Sequence, residues 1–416
     1  MSEQKPMVPP IEVTTAQFPE LIRGLKAFLR QKNIDNAIQS ISKLESDGNR
    51  FRSMLLREKQ PWLSAIAEFD RLTLRGSRPL PGNAITDEIY FLSYLGALLR
   101  EVGGSLPAAL ADRFRARFLD LHGKSAPALM EWETAFFYKR HGFAIVWNDV
   151  NVKGAEFCAT RGELAVEVEC KQFKRGYLEE LSDKPANDLA HAFLSALASA
   201  SLSGTVELRV GKVDLADTAR LCEEFAALAK GWKPGTVDTK AGADSTIKGT
   251  LFVLGEGPLQ TTQEADAEAA KKPHHARSFS RGFRSSSGKH EAIVVWLSGP
   301  RLPVDNLFSH MLEVLSGAAQ EQLQKGRPGV LVVEIEGFED AKIFRDQKAF
   351  SYISGQIFSK ADHIASIIWR CGVHAERTDS GFVLVHDAFR IKNPQCRFPE
   401  AEGLPGLDIV REDESA

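Results

Sequence analysis

The segment 162–171 constrains the fold more than any other part of the chain. Its sequence, Gly-Glu-Leu-Ala-Val-Glu-Val-Glu-Cys-Lys, alternates between apolar and polar side chains over most of its length. This period of two predicts a β-strand. One face then carries Leu164, Val166, Val168 and Cys170, and the other face carries Ala165, Glu167, Glu169 and Lys171. Two carboxylates and an ammonium group in one row form either a solvated strand face or a site that holds a divalent metal beside a cation.

A second strand is predicted just before this one, at 152–160, with the two-residue hairpin turn at 161–162. With that turn, Glu156 lies directly opposite Glu167 and diagonally opposite Glu169, roughly 7–8 Å away at the backbone. The carboxylates would then converge on the face that carries the lysine. Because like charges that face each other destabilise a sheet, a bound cation, exposure to solvent or a raised carboxyl pKa is expected there. A change of one residue in the turn would move Glu156 to the opposite face.

The order of helix, strand, strand and a third strand ending in Glu-x-Lys resembles the PD-(D/E)XK nuclease superfamily, which has the restriction-endonuclease-like fold. On this resemblance, Glu156 matches the acidic residue of the second strand. Glu169 and Lys171 match the (D/E)-x-K motif of the third strand. The resemblance covers about residues 125–172, and its first acid is Glu where Asp is commoner.

The preceding stretch 131–146, Glu-Trp-Glu-Thr-Ala-Phe-Phe-Tyr-Lys-Arg-His-Gly-Phe-Ala-Ile-Val, resembles the opening of the Holliday-junction-resolvase-like and Mrr-like branches. Glu131 matches the acid of their first helix, which implies a catalytic role. The resemblance also implies a Mg²⁺ or Mn²⁺ site with Glu156, Glu169 and the backbone carbonyl of Cys170 as ligands. Mg²⁺ takes oxygen ligands, typically one or two carboxylates with waters and substrate phosphate.

The chemistry explains these residue types. A phosphodiester is an anion that repels hydroxide, and one or two metal ions activate water and neutralise charge on the attacking and leaving oxygens. The resemblance implies that Lys171 orients the nucleophile or stabilises the developing charge. Glu167 is expected to be solvated or to lie behind the ligands.

Composition sets the outer limits on function. The 416 residues are 43% hydrophobic and 26% charged, which is typical of a soluble globular protein with two domains or one elaborated domain. The net charge of −3 provides no global attraction for nucleic acid, so local basic clusters must make any such contact. Five cysteines without a C-x-x-C pair, together with no secretory signal and no membrane-length apolar run, predict free thiols, a cytoplasmic location and no membrane contact.

The predicted fold class is α/β. A tail at 1–14 precedes a helical N-terminal domain at 15–122, which is also the candidate surface for a homodimer or a protein partner. A restriction-endonuclease-like domain follows at 123–395, with a mixed β-sheet flanked by helices and a large insertion at about 173–290. A C-terminal tail is predicted at 396–416.

Two alternatives remain for the element that completes the predicted sheet. In one, the helix at 305–325 and the strand at 329–335 close the sheet, so that most of the preceding segment is insertion. In the other, the strand at 205–210 closes the core and 290–390 extends it. Both strands have the apolar character that a buried position requires.

A basic segment lies inside the predicted insertion. Residues 271–289 contain six Lys or Arg, two Phe and no acidic residue. Basic side chains with interleaved aromatic rings suit a phosphate backbone. The low apolar content also predicts a flexible loop over 259–290, and a solvated linker is the alternative. The candidate nucleic-acid-binding residues are Lys271, Lys272, Arg277, Arg281, Arg284 and Lys289.

These observations lead to one function hypothesis and two alternatives. The first is a metal-dependent nuclease that hydrolyses phosphodiester bonds of nucleic acid, with DNA as the favoured substrate and, by family analogy, a role in restriction or defence. The second is a nuclease fold without catalysis that serves as a binding or assembly module. The third is an unrelated α/β interaction protein whose acidic strand is solvated. They differ in whether the acids and the lysine converge and in whether a divalent metal binds.

Overall fold

The structure is a computed structural model of the chain. It describes residues 13–46, 61–73, 87–120, 125–148, 154–174, 183–211, 217–253, 256–257, 259, 262–271, 277–284, 290–299, 304–336, 347–377 and 382–405.

Helices precede the first strand and alternate with strands after it, which confirms the α/β class. The helices are α1 (Phe18–Leu29), α2 (Gln31–Ser46), α3 (Pro61–Thr73), α4 (Asp87–Val102), α5 (Ala108–Phe118), α6 (Ser125–Arg140), α7 (Asp183–Ser199), α8 (Thr218–Gly231), α9 (Thr262–Ala270), α10 (Val304–Glu321) and α11 (Gln347–Phe358). The strands are β1 (Ala144–Trp147), β2 (Phe157–Arg161), β3 (Leu164–Lys174), β4 (Leu202–Arg209), β5 (Gly235–Ala241), β6 (Ser245–Val253), β7 (Arg277–Arg284), β8 (His290–Ser298), β9 (Gly329–Glu336), β10 (Ile364–Arg377) and β11 (Phe382–Lys392).

The chain divides into two compact units. The first unit holds 1–43, 55–175 and 308–416, and the second holds 44–54 and 176–307. The helices α1 to α6, apart from residues 44–46 at the end of α2, therefore belong to the same unit as β1, β2 and β3. Among the helices that the structure describes, none combines the length and apolar character needed to cross a membrane.

The first unit is built on a six-stranded mixed sheet in the order β1-β2-β3-β9-β10-β11. Strands β1, β2 and β3 form an antiparallel meander, β9 and β10 continue parallel to β3, and β11 closes the far edge antiparallel. Parallel neighbours require crossover connections, and here α10 precedes β9 and α11 precedes β10. Of the two alternatives for the strand beside β3, the structure has β9, because β4 lies in the other sheet.

Helices cover both faces of this sheet. Tyr138 of α6 contacts Phe157 of β2, with ring centroids 6.1 Å apart. On the opposite face, Phe173 of β3 contacts His310 of α10 at 5.9 Å. This double cover explains why β9 is buried along almost its whole length, as its continuous apolar sequence predicts.

An aromatic cluster fixes α5 against α6. The indole of Trp132 in α6 meets the rings of Phe114 and Phe118 in α5 at centroid distances of 5.2 Å and 4.9 Å. Phe114 also contacts Trp147 at the end of β1, at 5.6 Å. All four side chains are buried. The position of α5 relative to α6 and the sheet is therefore set by the core.

The second unit contains a five-stranded mixed sheet in the order β5-β6-β4-β8-β7. Its main core lies between the sheet and the pair α7 and α8, where Phe193 and Phe225 are completely buried. A smaller apolar cluster joins α9 to β8 through Ala265 and Val294. The larger segment of this unit spans 176–307, and the predicted insertion spans about 173–290.

The structure differs from the sequence prediction in two segments. The segment 259–290, predicted as a flexible loop, contains helix α9 and the edge strand β7, which pairs antiparallel with β8. The strand forms because its partner supplies backbone hydrogen bonds, which the low apolar content does not reveal. The predicted tail at 396–416 is wrong for its described residues, because Ala401 and Leu404 are buried around the short 3-10 helix Pro399–Gly403. The predicted tail at 1–14 and the residues from 406 onward lie almost entirely outside the described residues.

Candidate active site

The site lies where β3 extends beyond the start of β2. Their pairing ends at Phe157 opposite Val168, so in the described chain Glu169, Cys170 and Lys171 have a strand partner only on the β9 side. The Glu156 N–H donates to the carbonyl of Val168 at 3.0 Å. Since backbone groups alternate between the two edges of a strand, the Cys170 carbonyl points to this same open edge. A backbone oxygen is thus present next to Glu169 at this edge of the strand.

The hairpin register differs from the predicted one by two residues. Arg161 pairs with Leu164, so the turn residues are 162 and 163 rather than 161 and 162. The reason is conformational: a two-residue hairpin turn needs a positive φ at its first position, and Gly162 supplies it with φ +61°. An even shift keeps every side chain on its face. The register therefore places Glu156 opposite Glu169 instead of Glu167.

Glu169 is the most deeply buried acid of the row, with 1% of its side chain exposed. Its Oε1 accepts a hydrogen bond from the Lys171 ammonium, while its Oε2 is buried without a hydrogen-bond partner. Burial raises the pKa of Glu169 to about 7; the Lys171 ammonium opposes the rise and the charge of Glu156 adds to it. Glu169 is therefore enclosed by protein, and the alternative of a solvated strand face is wrong for this residue.

Glu131 reaches the same region from α6. It is buried, its Oε1 accepts a hydrogen bond from Arg117 of α5, and its Oε2 has no hydrogen-bond partner. Burial raises its pKa to about 8, with a further contribution from the negative charge of Glu156 and opposing contributions from Arg117 and Arg113. A carboxylate held this way is poised to accept a cation or to keep a proton near neutral pH.

Glu156 connects the other two acids. Its charge raises the pKa of both Glu131 and Glu169, and its Oε2 lies 3.9 Å from a guanidinium nitrogen of Arg113. All three carboxylates also act on the thiol of Cys170. Burial raises the pKa of this thiol well above its usual value, and the negative charges of the three acids raise it further. The structure thus brings the three predicted acids and Lys171 into one electrostatic cluster.

Glu167 does not join this cluster. It is buried, and its Oε2 accepts a hydrogen bond of 2.5 Å from the backbone N–H of Gln324, in the connection between α10 and β9. Its own N–H donates to the carbonyl of Pro328 at 3.0 Å. Glu167 therefore anchors the entry of β9 beside β3, and the predicted convergence of Glu167 with Glu156 is wrong.

A second buried ionic network lies next to the motif. Arg370 of β10 donates to Glu133 of α6 at 2.5 Å and lies 3.1 Å from Glu334 of β9. Glu334 accepts a hydrogen bond of 2.9 Å from Gln172, the residue after the motif lysine, and Glu133 accepts one from Tyr94 at 2.9 Å. The network ties α6 to three neighbouring strands, and it holds the helix that carries Glu131 at a fixed distance from β3.

The donor set suits a hard divalent cation, although the described residues do not form a ready-made metal site. In the described parts of the chain, no group of three or more His, Cys, Asp or Glu side chains is arranged to hold a metal ion. However, Glu131 and Glu169 each bury an oxygen without a hydrogen-bond partner. A buried carboxylate oxygen without a partner is costly, and a cation is its natural complement. The residues therefore fit a Mg²⁺ or Mn²⁺ ion by chemistry.

The predicted nucleic-acid-binding residues belong to the second unit. Lys271 is exposed and pairs with Glu268 at 2.8 Å. Arg281 of β7 donates to the hydroxyl of Ser195 at 3.2 Å. Arg277 and Arg284 mark the two ends of β7. Lys272 and Lys289 lie outside the described residues. The described ones therefore do not form one continuous loop.

Comparison of the sequence with models of known protein families and with curated proteins finds no match.

Sequence reasoning missed two arginines at the site, Arg113 and Arg117. They are four residues apart in a helical segment before the predicted acid helix, and this spacing places two side chains on one helix face. That signal was present, but nothing in the sequence paired the segment with Glu131. The network of Arg370 was missed for the same reason, since its members are far apart in the chain.

Proposed function

We propose that this protein is a metal-dependent nuclease that hydrolyses phosphodiester bonds, with DNA as the favoured substrate. The observation that carries the proposal is the convergence of Glu131, Glu156, Glu169 and Lys171 at the open edge of β3, with one oxygen of Glu131 and one of Glu169 buried and unpartnered. A role in restriction or defence follows by analogy of fold and is part of the same proposal.

The topology supports the finer assignment of a restriction-endonuclease-like fold. The chain runs from α6 through the meander β1-β2-β3 and returns through α10 to β9, which lies parallel to β3. The helix and the first three strands follow the order that the resemblance predicts, and α10 with β9 is the first of the two alternatives for completing the sheet. Residues 176–307 of the second unit separate β3 from most of α10 in the sequence, as is expected for an insertion.

Each residue has a role that follows from its surroundings. Glu156, Glu169 and the Cys170 carbonyl would hold the metal, and Glu131 would support them from α6. The metal supplies an activated water and charge neutralisation for hydrolysis. Lys171 retains 22% exposure while it touches Glu169, so its ammonium can turn from that carboxylate to a phosphate oxygen at the rim. Burial of Glu169 excludes bulk water, which strengthens these charge interactions.

The test is incubation of the purified protein with plasmid and linear DNA in the presence of Mg²⁺ or Mn²⁺. We expect nicking or cutting that EDTA stops and that Glu169→Gln or Lys171→Ala abolishes. Glu163→Gln, in the exposed turn of the same hairpin, and Lys360→Ala, exposed after α11, are the matched controls. Cleavage by both site variants at the wild-type rate would refute the assignment.

A binding or assembly module without catalysis is the second candidate. The observation that favours it is that Lys171 and Arg117 already occupy one oxygen each of Glu169 and Glu131, and that the metal site is not preformed in the described residues. Metal-dependent DNA binding without cleavage under any of these conditions would support the module over the enzyme.

A further inference from the structure

Helix α5 brings two arginines to the rim of the acidic site. Arg113 and Arg117 lie one turn apart on the same helix face, with 34% and 23% of their side chains exposed. The rings of Phe114 and Phe118, packed on Trp132, hold the helix in place. The two guanidinium groups therefore reach both the buried carboxylates and solvent from a rigid support.

The site holds as many cationic side chains as carboxylates. Three carboxylates face three cations, and when all are ionised the site is neutral. The cations are Lys171, Arg113 and Arg117, and their partners are Glu169, Glu156 and Glu131 in that order. A divalent ion at the carboxylates would add two positive charges. The loaded site would then attract anions, and the arginines would no longer be needed as counter-ions.

The contacts of the arginines leave donors for another partner. Arg113 approaches Glu156 at 3.9 Å, which is longer than a hydrogen bond. Arg117 donates to a single oxygen of Glu131. A guanidinium group carries five N–H donors in a planar fork that matches two oxygens of a phosphate. A residue that only neutralises a carboxylate needs no more than a positive charge. The planar guanidinium groups of Arg113 and Arg117, partly exposed at the edge of the site, also suit the oxygens of a tetrahedral anion.

We propose that Arg113 and Arg117 form a clamp for a backbone phosphate of nucleic acid, released from Glu156 and Glu131 when a divalent cation binds there. This inference rests on the proposed function, because the metal and the phosphodiester are those of the same site. The clamp would then belong to α5, which precedes the nuclease-like core in the sequence. Binding of the phosphate would depend on binding of the metal.

The test is binding of a short labelled duplex by fluorescence anisotropy, with Ca²⁺ or with EDTA, over a range of salt concentrations. Replacing both Arg113 and Arg117 by Met should weaken Ca²⁺-dependent binding about tenfold or more, and should lower the log–log salt slope by about 2. Arg100→Met, at an exposed position on α4, should change neither quantity.

Lysine variants keep the test valid if the methionine protein does not fold. Arg117→Lys and Arg113→Lys retain a positive charge beside Glu131 and Glu156 but lose the planar fork. We expect both lysine variants to fold and to weaken Ca²⁺-dependent binding severalfold, with binding in EDTA unchanged. Wild-type affinity in both lysine variants would overturn the clamp, and so would an absence of Ca²⁺-dependent binding by the wild-type protein.

The outcome is separable from that of the proposed function. Cleavage of DNA with Mg²⁺ by a wild-type protein whose lysine variants bind normally would remove the clamp and keep the nuclease. Metal-dependent binding that the arginine variants weaken, without cleavage by any form, would keep the clamp and remove catalysis.

Discussion

Replacing Glu169 by Gln should make the metal-free protein more stable at alkaline pH while it abolishes cleavage. The carboxyl group is 1% exposed, one of its oxygens has no hydrogen-bond partner, and its pKa is raised from 4.5 to about 7. The native state therefore holds the proton more tightly than the unfolded chain does. The resulting penalty is absent well below pH 4.5, grows between pH 4.5 and pH 7, and is complete above pH 7.

The size of the effect follows from the shift. One pKa unit corresponds to about 1.4 kcal/mol, so ionising Glu169 in the folded protein costs about 3 kcal/mol at pH 8 and less than about 1 kcal/mol at pH 5. The amide of Gln has no charge to lose, and its own hydrogen bonds do not change with pH. Between pH 5 and pH 8, Glu169→Gln should therefore gain about 2–3 kcal/mol of stability relative to wild type.

The assay is urea unfolding in EDTA at both pH values, with Glu163→Gln as the control. Glu163 lies exposed in the turn of the same hairpin, so the same chemical change there should give no pH-dependent difference from wild type. If Glu169→Gln changes the free energy of unfolding equally at pH 5 and pH 8, ionisation of the Glu169 carboxyl group does not destabilise the folded protein, and the reasoning is refuted. A wild-type rate of DNA cleavage in this variant would refute its role as a ligand.

Three further predictions follow from the same structure. Arg370→Met should destabilise the protein by about 3–5 kcal/mol, because it leaves Glu133 and Glu334 buried without their cation; thermal unfolding compared with the double variant that also carries Glu133→Gln should show partial recovery. Gly249→Ala should destabilise by about 1–3 kcal/mol, because the added Cβ would lie 2.3 Å from the carbonyl oxygen of Thr205, and circular dichroism melts would contradict this if the midpoint did not fall. Millimolar Mn²⁺ should stabilise the wild-type protein and so raise its melting temperature. The free energy of unfolding should rise by about 2.7 kcal/mol at a hundredfold excess over the dissociation constant, and an unchanged melting temperature would count against a metal site.

The helical spacing of apolar residues and the alternation along β3 could be predicted from the sequence, because each depends only on residues that are close together in the chain. Phe18, Leu21 and Ile22 repeat at helical spacing, and all three are buried in α1. The alternation around Glu169 placed it correctly on β3, on the same face as Lys171. These patterns are local consequences of 3.6 and two residues per repeat, so a single sequence reveals them.

The sequence predicted the acids of the site but not their electrostatic setting. It could not show that Glu169 is enclosed and that Glu167 turns away to Gln324, because burial depends on which helix covers each face. The hairpin register also required the conformation of Gly162, whose positive φ moved the turn by one residue. The pairing of β7 with β8 converted a predicted loop into an edge strand by hydrogen bonds across the sheet.

The local patterns of the sequence predicted the α/β class and the order of the elements up to the Glu-x-Lys strand, and the resemblance added Glu131, Glu156, Glu169 and Lys171 as candidate site residues. The strand that lies beside β3 and the cations that face the acids depend on contacts between distant parts of the chain. Arg117 meets Glu131 because aromatic rings dock α5 on α6. Such contacts join residues whose separation in the chain carries no periodic signal, so they are fixed by packing of the whole unit rather than by any local pattern.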